Sequence, residues 1–397
     1  MNDFQLPEGW DKTTIGKQCN VISGQSPKGE FYNSSGEGLP FYQGKKEFAE
    51  KFIGEPKKWT SHVTKEAILG DILMSVRAPV GPINFSTQKI CIGRGLAAIR
   101  AGDKIDKNFL FYYLLSKQDE ISGTEGAVFS SINRNQIENI EIFLPSLSEQ
   151  RKVIATLDKA FKDINQAIVN TEKNLANARE LFESYLDNVF TQKGDDWVET
   201  SLGNIANFKN GLNYSRNSKG ECIRIVGVRD FQSNFFIPIE QLTRVQIDGG
   251  LSSSYELQEN DILTVRSNGN KNLIGRCILA KNISHSGFTI RIRLKSSEIE
   301  PAFLVHYLMS GIVHNRLTNS GSGINISSLN QQALSSLYIV FPNKNEQLRI
   351  IENIEAIKTE TSRLVVFYQQ KLTVLNELKQ SIMQKAFTGE LTPVINQ

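Results

Sequence analysis

Two long stretches of the chain place apolar residues at alternating steps of three and four. No glycine or proline occurs between Pro145 and Phe190, or between Pro342 and Gly389. This spacing is that of a heptad seam, which packs against a partner helix. The predicted seam residues are Ile154, Leu157, Phe161, Ile164, Ile168, Leu175, Phe182, Tyr185, Ile354, Leu364, Tyr368, Leu372, Leu375 and Ile382.

Each predicted helix would measure roughly 60 Å at 1.5 Å per residue. The obvious partner for each helix is the other one, since each follows its own globular part. An antiparallel pair would then place the two globular parts at opposite ends of a stiff rod. The alternative is a long helical hairpin buried within one domain.

The residues before each long helix alternate short β-rich runs with turns rich in glycine, asparagine and serine. The predicted strands are 71–76, 90–99, 261–265 and 288–294, and the predicted helices are 108–117 and 302–311. Each half of the chain is therefore expected to hold a mixed α/β head followed by a long helix.

The same motifs occur in the same order in both halves. Asp71-Ile72-Leu73 matches Asp261-Ile262-Leu263, Glu149-Gln150 matches Glu346-Gln347, and Phe190-Thr191 matches Phe387-Thr388. An ordered series of matches indicates an internal duplication. The expected fold class is α+β, with two similar mixed α/β globular domains, two long α-helices forming an antiparallel coiled coil, and a pseudo-twofold internal repeat. The predicted boundaries are 1–147 and 195–344 for the globular domains, and 148–194 and 345–397 for the long-helix segments.

The composition is that of a soluble globular protein, with 40% hydrophobic and 22% charged residues. No apolar run approaches the length of a membrane span, and the N-terminus is not that of a signal peptide, so we expect a cytoplasmic protein without membrane contact. The four cysteines, Cys19, Cys91, Cys222 and Cys277, form no C-x-x-C pair, and the histidines lack metal-ligand spacing. No metal site is therefore expected.

No catalytic motif is recognisable in the chain. It has no G-x-x-x-x-G-K-[ST] phosphate loop and no Asn/Asp-Pro-Pro-aromatic segment of the kind that adenine methyltransferases use. No Ser–His or Cys–His arrangement stands out. We therefore expect no catalytic residue and no cofactor.

Two similar heads on a rod suit a split target such as duplex DNA. Base edges are read by arginine, lysine, asparagine and glutamine, and phosphates are bound by lysine and arginine. The candidate DNA-binding residues in the predicted loops are Gln43, Lys45, Lys46, Arg77, Arg94, Asn133 and Arg134 in the first half, and Asn213, Arg216, Arg229, Arg266, Asn268, Asn270, Lys271, Asn272, Arg276 and Asn325 in the second.

The chain resembles the specificity subunit of type I restriction–modification enzymes over nearly its whole length. The motifs that carry the resemblance are Leu6-Pro7-Glu8-Gly9-Trp10, Gly24-x-Ser26-Pro27, Gly70-Asp71-Ile72-Leu73, Leu144-Pro145 with Glu149-Gln150, and Ala386-Phe387-Thr388-Gly389-Glu390-Leu391-Thr392. Each motif is loose, but their order and their duplication make the match specific.

The resemblance implies a function and a set of partners. In that family each head is a target recognition domain that reads one half of a bipartite double-stranded DNA site. The helices set the gap between the half-sites and dock modification (methyltransferase) subunits, two of which are expected, and restriction subunits bring translocation and cleavage. The net charge of +3 is small for a chain that grips DNA alone, which fits such partners. The alternatives are a self-sufficient two-headed DNA-binding regulator and a methyltransferase with unrecognised motifs.

Overall fold

The computed structural model describes residues 9–123, 131–212, 218–231, 234–249, 252–267, 270, 273–281, 285–319, 329–388 and 390. The chain forms two compact units. Unit 1 comprises Met1–Thr171 with Gln370–Gln397, and unit 2 comprises Glu172–Gln369. Unit 1 contains head 1, which precedes the first long helix, and unit 2 contains head 2, which lies between the two long helices in sequence.

Head 1 is built around two sheets. Its strands are β1 (Asp11–Thr14), β2 (Cys19–Ser23), β3 (Tyr32–Asn33), β4 (Leu39–Tyr42), β5 (Trp59–Thr60), β6 (Glu66–Ala67), β7 (Ile72–Ser75), β8 (Ile83–Phe85), β9 (Ile90–Ile92), β10 (Leu96–Ala101) and β11 (Glu141–Leu144), and its helices are α1 (Ile15–Gln18), α2 (Lys107–Ser116), α3 (Gln118–Ser122) and α4 (Arg134–Glu138). One sheet has the antiparallel order β2-β10-β7-β8 and the other has the order β3-β5-β4-β9-β6, while β1 pairs with β11.

Head 2 follows the same plan after the first long helix, α5 (Leu147–Thr191). Its strands are β12 (Val198–Ser201), β13 (Ala206–Asn210), β14 (Glu221–Val226), β15 (Thr243–Ile247), β16 (Ile262–Val265), β17 (Cys277–Leu279), β18 (His285–Ser286), β19 (Thr289–Leu294) and β20 (Tyr338–Phe341), and its helices are α6 (Leu202–Ile205), α7 (Pro301–Met309), α8 (Gly311–Asn319) and α9 (Gln331–Ser335). The sheet orders are β13-β19-β16-β17 and β15-β14-β18, and β12 pairs with β20. The second long helix is α10 (Lys344–Phe387).

The predicted strands at 71–76, 261–265 and 288–294 are confirmed by β7, β16 and β19, whereas the single strand predicted at 90–99 is wrong. That run forms two strands, β9 and β10, which belong to different sheets. A turn at Gly93–Gly95 separates them, and it lies against the backbone of Gln43. A Cβ on Gly95 would come 2.4 Å from the Gln43 carbonyl oxygen, so only glycine fits there.

The repeated aspartate of the Asp-Ile-Leu motif holds a buried ion pair in each head. Asp71 accepts hydrogen bonds from Nε and Nη2 of Arg100 at 2.9 and 2.8 Å. Asp261 accepts from the same two atoms of Arg293 at 2.7 and 2.6 Å. Because both carboxylates are almost fully buried and bidentately paired, they lock neighbouring strands of the central sheet together.

The repeated glutamine of the Glu-Gln motif fastens the first turn of each long helix to its head. The buried Gln150 side chain donates to the carbonyl oxygens of Lys104 and Pro145 and accepts from the Asp106 N–H. Gln347 makes the equivalent three hydrogen bonds in unit 2. The start of each helix is thereby fixed in direction relative to the head that precedes it.

The repeated phenylalanine at the end of each long helix enters the core of a head. Phe387 packs edge-on against Phe109 and Tyr113 of head 1, with ring centroids 5.3 and 5.2 Å apart. Phe190 makes the same contacts in head 2, with Phe303 and Tyr307 at 5.5 and 5.2 Å. Each unit therefore holds the start of one long helix and the end of the other.

Side chains of the two long helices also pack together within each unit. In unit 1, Lys379 of α10 donates to Asn165 of α5 at 3.1 Å and lies over the Phe161 ring. In unit 2, Phe190 and Ile354 belong to one apolar core. The start of each helix thus lies beside the end of the other, which is the predicted antiparallel direction.

Most predicted seam residues are buried or half-buried, and Leu364 is the exception, with 38% of its surface exposed. The buried Thr361 and the half-buried Val365 occupy the inner face instead. Two successive steps of four, from Ile357 to Thr361 to Val365, replace the regular heptad here, and the hydroxyl of Thr361 is satisfied by the Ile357 carbonyl at 2.9 Å. The prediction assumed an uninterrupted heptad and therefore chose Leu364, one residue too early.

Candidate nucleic-acid interface

A basic cleft in head 1 brings together five of the predicted DNA-binding residues. Gln43, Lys45, Lys46, Arg77 and Arg94 all line it. They come from three separate parts of the chain, following β4, β7 and β9. Asn133 and Arg134, the other two candidates of the first half, do not line it.

Backbone hydrogen bonds hold the three contributing segments in one frame. The Gly95 N–H donates to the Gln43 carbonyl at 3.1 Å, and the Val76 N–H donates to the Gly95 carbonyl at 3.0 Å. The buried hydroxyl of Ser75 donates to the carbonyl of Arg77 at 3.1 Å. The side chains of Gln43, Arg94 and Arg77 therefore project from a backbone whose geometry is fixed before any ligand arrives.

The cleft carries an uncompensated positive charge. Six cationic side chains and one carboxylate line it: Lys45, Lys46, Lys57, Lys58, Arg77, Arg94 and Glu47. Within the described ranges, none of these cations forms an ion pair, although Lys58 lies 5.7 Å from the Tyr32 ring centroid. Unpaired cations on a rigid concave surface attract a polyanion, and phosphate contacts of this kind dominate affinity for duplex DNA.

Lys57 and Lys58 were not predicted. They precede the short strand β5, and the β4–β5 pairing brings the Lys58 carbonyl within 2.8 Å of the Phe41 N–H, at the base of the cleft. The sequence signal was present, since this lysine pair repeats the Lys45-Lys46 pair twelve residues earlier.

Asn133 and Arg134 have local structural roles instead of a place in the cleft. Asn133 caps α4 by accepting the Gln136 N–H at 3.0 Å, and the Gln136 side chain accepts the Asn133 N–H in return. Arg134 pairs with Glu138 one turn further along at 2.7 Å. A capping box uses asparagine for its short acceptor side chain, which explains its presence without DNA.

In head 2 the candidates divide into a described and an undescribed group. Asn213, Arg216, Asn268, Lys271, Asn272 and Asn325 lie outside the described residues. Arg266 directly follows β16, and Arg276 directly precedes β17, which pairs with β16. The Val265 N–H donates to the Arg276 carbonyl at 3.0 Å. Asn270 is exposed in the connection between those strands.

Arg229 belongs to a second basic surface of head 2 that the sequence prediction recognised only in part. Its Nη2 donates to Thr243 Oγ1 at the start of β15. Next to Thr243, the exposed Arg244 lies directly opposite the exposed Arg224 on the antiparallel pair β14–β15. Like charges placed directly across a strand pair destabilise a sheet unless a counter-charge binds them, so this arrangement also favours an anionic ligand.

Other kinds of site find little support in the described parts of the chain. No group of three or more His, Cys, Asp or Glu side chains there is placed to hold a metal ion. Burial raises the pKa of the Cys19 thiol to about 11 and that of Cys277 to about 12, so both are protonated and unreactive at neutral pH. Within the same ranges, no helix combines the length and the hydrophobicity needed to cross a membrane.

Comparison with known proteins assigns the family. A family model described as the type I restriction modification DNA specificity domain matches residues 7–174 and again residues 194–373. The chain therefore belongs to the type I restriction–modification DNA specificity family. The two matches also confirm the internal repeat, and membership confirms the predicted role as a non-catalytic DNA-recognition subunit.

Individual relatives agree with the family. The putative type I restriction enzyme MjaX specificity subunit of Methanocaldococcus jannaschii is 41% identical over 180 residues, which are 44% of this chain and 42% of that protein. The StySPI specificity subunit of Salmonella potsdam is 26% identical over 432 residues, covering 99% of this chain and 91% of that protein.

Solved structures share the fold. The HsdS subunit of Thermoanaerobacter tengcongensis matches with a TM-score of 0.62 at 19% identity, over 98% of this chain and 99% of that one. A chain from a structure of a type I restriction–modification system reaches a TM-score of 0.77, also at 19% identity, over 98% of this chain and 100% of that one. The predicted two-domain α+β fold is confirmed.

Proposed function

We propose that this chain directs a type I restriction–modification complex to a bipartite double-stranded DNA site, with each head recognising one half-site. The basic cleft of head 1 carries this proposal. Within the described residues its cations form no ion pair and the Gln43 amide has no hydrogen-bond partner, and backbone hydrogen bonds fix the segments that bear these side chains. Modification subunits would supply methyl transfer, and restriction subunits would supply translocation and cleavage. Because the complex would act on DNA, we expect it to work in the cytoplasm.

The two heads keep the same frame but differ on their basic surfaces, which supports recognition of two different half-sites. Both heads have the buried Asp–Arg ion pair and the buried glutamine, Gln150 or Gln347, that fastens a long helix to the head. The cleft of head 1 is rich in lysine, whereas the exposed basic surface of head 2 on β14 and β15 carries arginines. The two long helices, each of which contributes to both units, would then set the gap between the half-sites.

Exposed residues that are identical in both repeats support a pair of docking sites for one kind of partner. Leu181 near the end of α5 and Leu378 near the end of α10 are 53% and 45% exposed. An exposed glutamate precedes each leucine, and an exposed serine follows it by three residues. Because these side chains are exposed, packing within the protein does not require them. Recognition of two different half-sites does not explain why they are identical in both repeats. We therefore infer that each cluster contacts one modification subunit. An apolar pocket with a basic rim on that subunit would complement it.

Leu181→Arg or Leu378→Arg should each reduce the number of bound modification subunits from two to one. A charged residue at the centre of an apolar contact costs roughly 2 kcal/mol or more, which weakens binding about 30-fold. Native mass spectrometry of the purified complex gives the stoichiometry directly. Asn174→Arg is the matched control, because this exposed position on α5 corresponds to Lys371 in the repeat. Two subunits bound at unchanged affinity in both leucine variants would contradict this docking site.

The function itself is tested by mapping methylated bases in the host genome with and without this gene. We expect one bipartite motif to lose its methylation when the gene is removed. Unchanged methylation would contradict the proposal. Tight, specific DNA binding by the isolated chain at physiological salt would favour the alternative of a self-sufficient regulator.

A further inference from the structure

Gln43 differs chemically from the other polar side chains of the head 1 cleft. The charged groups there, such as Lys45 and Arg77, attract the phosphates of DNA whatever its base sequence. Ser75 is buried, and its hydroxyl already donates within the turn that follows β7. Among the side chains described for this cleft, Gln43 alone is exposed, uncharged and able both to donate and to accept, and its amide has no hydrogen-bond partner in the described part of the protein.

The backbone of Gln43 is held more firmly than an exposed loop residue requires. The preceding residue, Tyr42, is buried, donates its hydroxyl to the Gly54 carbonyl at 2.9 Å and accepts the Gly93 N–H at 2.8 Å. Gly95 bonds to Gln43 itself, and a Cβ on Gly93 would lie 3.0 Å from the Gln43 Cα. Binding would therefore order only the side chain, which lowers the entropic cost of a precise contact.

A glutamine amide matches one base in the major groove. Its oxygen and nitrogen can bond simultaneously to N6 and N7 of adenine, whereas arginine and lysine favour guanine. We propose that Gln43 reads an adenine in the half-site bound by head 1, while the surrounding cations fix the position of the DNA backbone. This inference rests on the proposed function and names one residue that reads a base and the base that it reads.

The repeat indicates that this contact belongs to head 1 only. The Gly287 N–H donates to the Val226 carbonyl at 3.1 Å, as the Gly93 N–H donates to Tyr42. The residue after Val226, which corresponds to Gln43, is Gly227. Head 2 has no side chain at that place, so the position equivalent to Gln43 cannot contact a base of the second half-site in this way.

The test uses the assembled modification complex and a competition assay with a library of target duplexes varied at every position. For Gln43→Ala we expect discrimination to fall on the order of tenfold to a hundredfold at one A·T pair of one half-site, with all other positions unchanged. Gln43→Glu should lose the adenine preference at the same pair, since a carboxylate accepts from cytosine N4 instead. Lys57→Ala is the control, because loss of a phosphate contact should weaken all sequences alike and lower the salt dependence by about one unit of slope.

Several outcomes would overturn the inference. One is an unchanged preference at every position in both Gln43 variants. Others are a change in the half-site bound by head 2, or an affected position at which the unaltered complex prefers a base other than adenine. If the unaltered complex recognises no bipartite site at all, the proposed function fails first. If it recognises one and the variants do not change it, only the role of Gln43 is wrong.

Discussion

Phe161→Asp should destabilise unit 1 by several kcal/mol and prevent normal assembly with the modification subunit. Phe161 is 6% exposed, packs edge-on against Tyr112 at 5.5 Å and lies beneath Lys379 at 5.2 Å. Removing a buried aromatic ring costs about 3–5 kcal/mol, and burying a carboxylate adds to that. Because domains are stable by only about 5–15 kcal/mol, the loss is a large fraction of the total.

Denaturant unfolding followed by circular dichroism measures this loss, and co-purification measures assembly. Lys162→Asp, at the next and exposed position, is the control and should behave like the unaltered protein. Leu372→Asp should have a smaller effect in the same direction, since Leu372 is half-buried. A Phe161→Asp protein that assembles normally but recognises a different base sequence would contradict the role given to the seam.

The long helices could be predicted closely from the sequence. Pro145 and Pro342 each stand two residues before the observed helix starts, Leu147 and Lys344, and the apolar periodicity continues to the last turns. Such prediction works because a helix depends on local spacing and on the absence of glycine and proline. It failed at Leu364, where a threonine in the seam changes the spacing.

The division of arginines into ion-paired and unpaired ones could be predicted less well. Arg100 pairs with Asp71 and Arg134 with Glu138, whereas Arg77 and Arg94 stay unpaired and share a cleft in the described structure. Residue type and loop position cannot separate these cases, because the Arg100 pair joins residues far apart in sequence. The sequence likewise marked Gln150 and Gln347 as repeated without revealing that they fasten helices to heads.

Exchange of a whole head tests the central claim, that each head recognises its own half-site, more directly than any point variant. Head 1, residues 1–147, is replaced by the first head of another family member that keeps aromatic residues at the places of Phe109 and Tyr113. Those rings must remain because Phe387 packs edge-on against both of them. Replacement of residues 195–344 is the reciprocal experiment, with Phe303 and Tyr307 kept.

The deciding measurement is a map of methylated sites in cells that carry each exchanged subunit together with the modification subunit. We expect exchange of head 1 to change the bases of one half-site completely, to leave the other half-site unchanged, and to preserve the gap between them. Exchange of head 2 should change the other half-site only. A map in which both half-sites change after a single exchange, or in which neither does, would contradict recognition by two independent heads.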